Sequence, residues 1–385
     1  MKTLFPSSFA GAAIGVLLLL AACSKSNERY PDKPNEQPDP VTFNYAQAAD
    51  SAQASLYKDF FSSENYFNQN NEGHTGFNYW WNAHALDVLV DGYLRTGNAI
   101  YKSRMDSLLK GMYRKNDNKW LNNFYDDMEW LALASLRAYQ ATQDIKFKDL
   151  TEELWGYIKV GWTEVHSGGI MWEKNSPTSK NACSNGPALI LAVRLYKLNG
   201  NAVDLDWARR IYNWQRTVLV ESARGIVWDG VGNYNEAMVL TYNQGTWIGG
   251  ALELYSVTNA PQQLRDAVRL ANYVVNDRGK FSPGGILKGE NTGDGGLFKG
   301  IFIRYLTQLI IHGSLDPVVK NAYLQYLKNN GHTLLHKGTF YPGYYFHPNW
   351  TAKPANGKLD CSVELSGIML LESIDLLKRE GLLSY

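Results

Sequence analysis

From residue 41 onward, apolar residues recur at helical spacing, and no stretch alternates convincingly as a half-buried strand does. Two kinds of helical segment are distinguishable. In the first, apolar residues form one stripe, as in Trp207, Ile211, Trp214 and Val218 with Arg209, Arg210 and Arg216 between them. Met105, Leu108, Leu109 and Met112 repeat the pattern, which marks a surface helix with one buried face. The second kind is apolar nearly all round, as in residues 130–136 and 188–195, and such a helix must be surrounded by other helices.

The two kinds alternate. Stripe-type helices are predicted near 46–61, 99–113, 147–164, 204–219, 261–275 and 317–330. All-round apolar helices are predicted at 85–96, 127–142, 187–198, 246–257, 298–311 and 363–377. Several of the latter stop at Gly or Asn (Gly97, Gly200, Asn259), residues that accept the left-handed conformation ending many helices. Six helix pairs make either an open solenoid or a closed ring. A segment rich in Gly, Asn, Asp and aromatic residues precedes each apolar helix: 73–82, 122–126, 168–186, 225–245, 284–296 and 341–360. Six such loops at one end of an inner ring form a mouth, so the expected fold is all-α, an (α/α)6 toroid with a cleft where the inner helices begin. In that ring repeats three and six lie opposite each other. Cys183 and Cys361 belong to those repeats and are expected to remain unpaired.

Residues 1–40 lie outside this pattern. Lys2 is followed by an uncharged, mostly apolar run at 9–22, short for a membrane span and placed as a targeting segment is. It ends in Leu20-Ala21-Ala22-Cys23, which resembles a bacterial lipobox and implies cleavage before Cys23 and lipidation of its thiol. Residues 23–40 then form a linker in which Pro31, Pro34, Pro38 and Pro40 are spread among polar residues, a composition that stays extended. The expected organisation is thus a 1–22 leader, a 23–40 tether and a 41–385 domain. The acyl chains attach an otherwise soluble, monomeric domain to the cell envelope. Ser24 suits the outer membrane by analogy with lipoprotein sorting.

Charge narrows the partners. Loss of the leader removes Lys2 and leaves 37 basic residues against 37 acidic, with no basic block, which argues against nucleic acid. The aromatic content of 13%, with 12 Trp, points elsewhere, because the C–H face of a pyranose packs on an aromatic ring while its hydroxyls need polar partners.

The chemistry is expected in residues 122–130, where Asp126 and Asp127 stand between Phe124-Tyr125 and an apolar helix. Glycoside hydrolysis needs two carboxyl groups, one acidic and one ionised. Adjacent Cα atoms are about 3.8 Å apart, but neighbours on a regular helix diverge by about 100°. The pair is therefore expected where the helix begins, where free N–H groups favour a negative charge and one carboxylate raises the pKa of the other. A plainer reading is open on spacing alone: Asp126 as an N-cap, with Glu129 three residues on, approaches a capping box. Residues 126–129 also look like a magnesium–diphosphate motif, but no second acidic cluster accompanies them. His332 and His336 share a helix face without a third ligand. No metal or organic cofactor is expected.

The stretch Tyr125-Asp126-Asp127-x-x-Trp130 resembles the catalytic signature of glycoside hydrolase family 76, the endo-α-1,6-mannanases. Trp80-Trp81-Asn82, residues 241–245 (Thr-Tyr-Asn-Gln-Gly) and residues 299–304 (Lys-Gly-Ile-Phe-Ile-Arg) are similar to further family pieces, in the same order. The resemblance implies an (α/α)6 fold and retaining hydrolysis of α-1,6-mannan, with Asp126 as nucleophile and Asp127 as general acid/base. Related fungal wall proteins with this signature act as glycan transferases, and a non-catalytic glycan-binding lipoprotein would share the anchor and the aromatics. Trp81, Asn82, Tyr125, Trp172, Asn181, Tyr242, Asn243, Gln244, Lys299 and Arg304 are the expected substrate-binding residues, with only one of Trp80 and Trp81 facing the cleft.

Overall fold

The structure, a computed structural model, describes residues 43–384, so the leader, Cys23 and the linker lie outside the described residues. Among the described residues twelve long helices account for the architecture: α1 (Tyr45–Phe60), α2 (Tyr79–Thr96), α3 (Ile100–Lys115), α4 (Tyr125–Thr142), α5 (Ile145–Val160), α6 (Gly186–Asn199), α7 (Ala202–Val218), α8 (Thr241–Thr258), α9 (Pro261–Asn276), α10 (Gly295–His312), α11 (Pro317–His336) and α12 (Cys361–Arg379). The even-numbered helices each pack on the next even-numbered one, and α12 returns to α2, which closes the ring. The odd-numbered helices lie outside, each against an inner helix, with α1 on α12. The molecule is an (α/α)6 barrel, and the solenoid alternative is excluded by the α12–α2 contact.

Burial explains the two sequence patterns. Helix α8 is buried on nearly every face, from Thr241 to Leu254, whereas α9 buries one side through Ala267, Leu270, Ala271 and Val274. Small residues let the inner helices close. A Cβ on Gly245 would lie 2.6 Å from the Phe302 Cα of α10, far inside contact distance. No described helix is long and apolar enough to cross a membrane. Cys183 and Cys361 are both buried and unpaired, as their positions across the ring require.

The predicted helix stops hold. Gly97, Gly200 and Asn259 end α2, α6 and α8 in the left-handed region, and Gln143 does the same for α4. The predicted starts do not all hold. Helices α2 and α8 begin six and five residues earlier than the pattern implied, and α10 three residues earlier. For α2 and α8 the reason is a hydrogen-bond device that recurs at the start of α6. Asn82 accepts from the Phe67 N–H and donates to its carbonyl, at 2.7 and 3.1 Å. Asn185 treats Ile170 in the same way, and Gln244 treats Val227 in the same way. Each amide at the start of an inner helix thus pins the preceding loop as a strand partner would. Polar residues that look loop-like in sequence are thereby accommodated in buried helix turns.

Candidate active site

The mouth of the barrel holds a cavity of about 740 Å³, and Asp126 and Asp127 both line it. Both belong to the first turn of α4, where the helix begins, as expected for the pair. They share the cavity because it lies over the helix end rather than along one side of the helix. Asp126 is not the N-cap. That position is Phe124, extended and without a side-chain cap, and the Tyr125 N–H is instead satisfied by the Trp172 carbonyl at 2.9 Å. The loop carrying Trp172 thus sets the height of the helix start. Glu129 makes no capping box: it is fully buried, and burial first, then Asp126, push its carboxyl well up.

The two aspartates have different surroundings. Burial raises Asp126, but the Cys183 thiol, the Asp127 N–H and Trp172 donate toward its carboxylate and limit the rise to about 6. The backbone contribution is visible as the 3.1 Å bond from the Asp127 N–H to Asp126 Oδ1. Asp127 is raised well above the carboxylate range by burial, then by the charges of Asp126 and Asp294. One carboxyl faces donors and the other faces like charges, so Asp126 ionises first and Asp127 keeps its proton.

Around them the cavity is lined by Trp80, Trp172, Asn181, Tyr242, Asp229 and Asp294, among others, and no Lys, Arg or His is among its lining residues. Trp172 leans on Phe124, with ring centroids 4.9 Å apart. Tyr242 stacks on Phe298 at 4.2 Å. Asp294 is fixed by the indole N–H groups of Trp80 and Trp81, at 3.0 and 2.9 Å. Asp229 accepts from Asn243 at 3.1 Å. Four carboxyl groups facing a cavity without a cation suit a neutral, hydroxyl-rich ligand and disfavour a polyanion. Among the described residues no group of three metal-ligating side chains occurs, and His332 stacks on His336 and against Phe43 away from this cavity.

Several expected binding residues lie elsewhere. Trp81 is buried and only its N–H reaches Asp294; its neighbour Trp80 is the one that faces the cavity. Tyr125 is buried, with its ring against Gly161. Asn82 and Gln244 are consumed by loop pinning, and Asn243 acts on Asp229 rather than lining the cavity. Lys299 is fully buried beneath the loops, donates to the Pro348 carbonyl, lies 3.9 Å from the Trp350 ring centroid, and is held well below the ammonium range by burial. Arg304 pairs with Asp87 and Asp91 within the ring and lines no part of this cavity. Trp172, Asn181 and Tyr242 are where they were expected. Asp229, Asp294 and Cys183 were not anticipated, although both aspartates sit in the polar-aromatic loops that mark the mouth.

The sequence profile described as Glycosyl hydrolase family 76 matches residues 44–374. The chain belongs to glycosyl hydrolase family 76. An inactive variant of the α-1,6-mannanase of Salegentibacter sp. HEL1_6, in complex with α-1,6-mannotetrose, superposes with a TM-score of 0.84. It is 43% identical, over 87% of this chain and all of that one, and it carries alanine at two consecutive aspartates. A family 76 mannosidase of Bacteroides thetaiotaomicron, at 20% identity and a TM-score of 0.75 over 88% of this chain and 99% of that one, shares the fold. Among curated relatives, the mannan endo-1,6-alpha-mannosidase DCW1 of Candida glabrata is 28% identical over 206 residues, 47% of this chain. The chain spans 46% of the length of that protein, and 64% of a Schizosaccharomyces pombe relative 26% identical over 287 residues, 67% of this chain.

Proposed function

We propose that this family 76 enzyme is an endo-acting, retaining α-1,6-mannanase. The observation that carries the reading is the pair itself: two adjacent carboxyls on one cavity, one whose rise is limited to about 6 by donors and the other raised well above the carboxylate range. The Salegentibacter enzyme supports it, because its inactive variants replace two consecutive aspartates and hold α-1,6-linked mannose oligomers. Asp126-Asp127 is the single place in this sequence where two aspartates are adjacent.

The chemistry follows in two balanced steps. Asp127 gives its proton to the glycosidic oxygen as the C1–O bond breaks, while an Asp126 oxygen forms a bond to C1. A water then attacks C1 and yields a proton to Asp127, and the C1–Asp126 ester bond breaks. Two inversions leave the anomeric configuration unchanged. Retention requires the carboxyls to be about 5 Å apart. The free N–H groups of the α4 terminus lower the cost of the anionic Asp126.

Linear α-1,6-mannan tests this. The expected products are internal-cleavage oligosaccharides whose new reducing ends are first seen by NMR as the α-anomer. kcat/KM is expected to fall below about pH 6 as Asp126 takes up a proton. It falls again at higher pH as Asp127 loses its own, so the profile is a bell whose alkaline limb belongs to Asp127. β-Anomers at time zero would make the enzyme inverting. Products longer than the starting oligosaccharide would make it a transferase.

We further propose that Cys23 carries a lipid that tethers the domain to the cell envelope, at the outer membrane. The support is the Leu20-Ala21-Ala22-Cys23 sequence and the proline-containing linker behind it. In a bacterial host, Cys23→Ser is expected to move the protein from the membrane fraction to the soluble fraction. Equal membrane retention of the two forms would reject the anchor.

A further inference from the structure

A second groove lies on the outside of the barrel between α3 and α5, with a volume of about 480 Å³. Its wall is an aromatic pair. Tyr113 is 38% exposed, and its ring centroid is 4.8 Å from that of Trp120 at an angle of 50°. Two rings set at that angle form an open V rather than a closed stack. Leu109 and Leu150 floor the groove, and Lys110, Asp149 and Glu153 stand exposed at its rim.

This groove adjoins the catalytic cavity. The loop 116–124 separates them, and each space uses one side of it. Trp120 faces the outer groove, whereas Asn116, Asn122 and Phe124 line the catalytic cavity. The loop is braced from both ends. Asn116 donates to the carbonyls of Lys119 and Leu121 at 2.7 and 3.0 Å, and the Tyr79 hydroxyl donates to the Trp120 carbonyl at 2.7 Å. Tyr79 itself lines the catalytic cavity. A chain leaving the cleft over this loop meets Trp120 and Tyr113 next.

We propose that the α3–α5 groove is a second saccharide-binding site, which takes a neutral hexose polymer and holds a stretch of the mannan chain whose cleavage occurs in the adjoining cleft. This rests on the mannan reading given above. The chemistry of the groove favours that occupant. Aromatic faces receive the C–H side of a pyranose, while the rim offers both carboxylate acceptors and an ammonium donor for hydroxyls. Acidic and basic side chains are mixed, and Lys146 is already paired with Asp106 at 2.5 Å and with Asp144 at 2.7 Å. A strongly charged ligand therefore finds no single-sign surface there.

Tyr113→Ala and Trp120→Ala, made singly in the full chain, test the site. Polymer binding is read by affinity electrophoresis in α-1,6-mannan, in a background carrying Asp126→Asn and Asp127→Asn. Catalysis is read in the otherwise unaltered enzyme, on the polymer and on α-1,6-mannotetraose. The expected result is retention on the polymer weakened about ten-fold, the change that loss of one ring–sugar stack of about 1.4 kcal/mol gives. KM on polymer rises in parallel, with kcat/KM on the tetrasaccharide unchanged. Unchanged polymer binding in both variants overturns the site. So does an equal loss on polymer and tetrasaccharide, which would mean that the rings only support the cleft loop. Tyr113 lies on α3 outside that loop, so its variant separates the two cases if Trp120→Ala loosens the fold. A wild-type enzyme that cleaves neither substrate but is retained through Tyr113 and Trp120 overturns the mannanase reading and leaves the groove standing.

Discussion

Asp127→Asn is expected to lower kcat/KM on α-1,6-mannan by about 10²- to 10⁴-fold, the usual weight of a general acid–base group. Asp126→Asn is expected to lower it by about 10⁴-fold or more, because no covalent intermediate can then form. The two losses differ in kind. A mannoside with an activated aryl leaving group needs little protonation, so the first step in Asp127→Asn should recover on it, whereas Asp126→Asn should stay inactive. Azide tests the same division. In Asp127→Asn it can attack the glycosyl–Asp126 ester without a general base, and the expected product is the α-mannosyl azide. The alkaline limb of the pH profile should also disappear in Asp127→Asn, since the proton lost there is the one on Asp127. Full activity in both variants would remove the pair from the mechanism. Recovery of Asp126→Asn rather than Asp127→Asn on the aryl mannoside would exchange the two roles. That exchange would conflict with the surroundings of the carboxyls, where Asp126 faces donors and Asp127 faces the charges of Asp126 and Asp294.

The barrel was legible because burial on all sides leaves a residue pattern that no surface helix shares, and six such patterns alternate with six stripes. What escaped were the first turns of α2 and α8, where Asn82 and Gln244 look like loop residues until their backbone partners at Phe67 and Val227 are seen. The same effect blurred the site. Membership of a mouth loop says that a residue is near the cleft, not which way it points. Trp80 and Trp81 are adjacent in sequence and share one acceptor, yet only the first lines the cavity. Lys299 follows the mouth segment by a few residues and is directed into the protein, where it meets the Pro348 carbonyl and the Trp350 ring. Asp294, within Gly293-Asp-Gly-Gly296, reads as a turn, and its role becomes visible only through the two indoles that hold it. Asp126-Asp127 stood out because the pair follows aromatic residues in one of the mouth loops, and because the surrounding motif resembles that of a known family.

Arg304 was expected at the cleft and lies instead in a charge network that joins three inner helices, and disrupting that network is expected to have the largest effect on stability. Asp87 and Asp91 of α2 face Arg137 of α4 and Arg304 of α10. Arg137 Nη2 is 2.6 Å from Asp91, Arg304 Nη2 is 2.7 Å from Asp91, and Arg304 Nε is 2.9 Å from Asp87. Burial alone would raise Asp87, but Arg137, Arg304 and His84 outweigh it and hold it at about 2. Two cations thus balance two anions among largely buried side chains, and removing one cation leaves a carboxylate less compensated. Arg137→Met is expected to cost about 3–5 kcal/mol, read as a lowered urea midpoint at pH 7. The sign with pH follows. Because the folded pKa of Asp87 is depressed from 3.8 to about 2, its stabilising contribution is complete above the unfolded value and fades as pH falls through the folded one. In Arg137→Met burial regains control and Asp87 rises, so mild acid protonates it in the variant while it stays ionised in the wild type. The gap between the two proteins should therefore be smaller at pH 4 than at pH 7. Adding Asp87→Asn to Arg137→Met should recover part of the loss at pH 7, because it removes the charge that Arg137 had neutralised. Equal urea midpoints for wild type and Arg137→Met at pH 7 would mean that the network contributes nothing net. A gap that does not narrow at pH 4 would place the cost in lost packing rather than in charge.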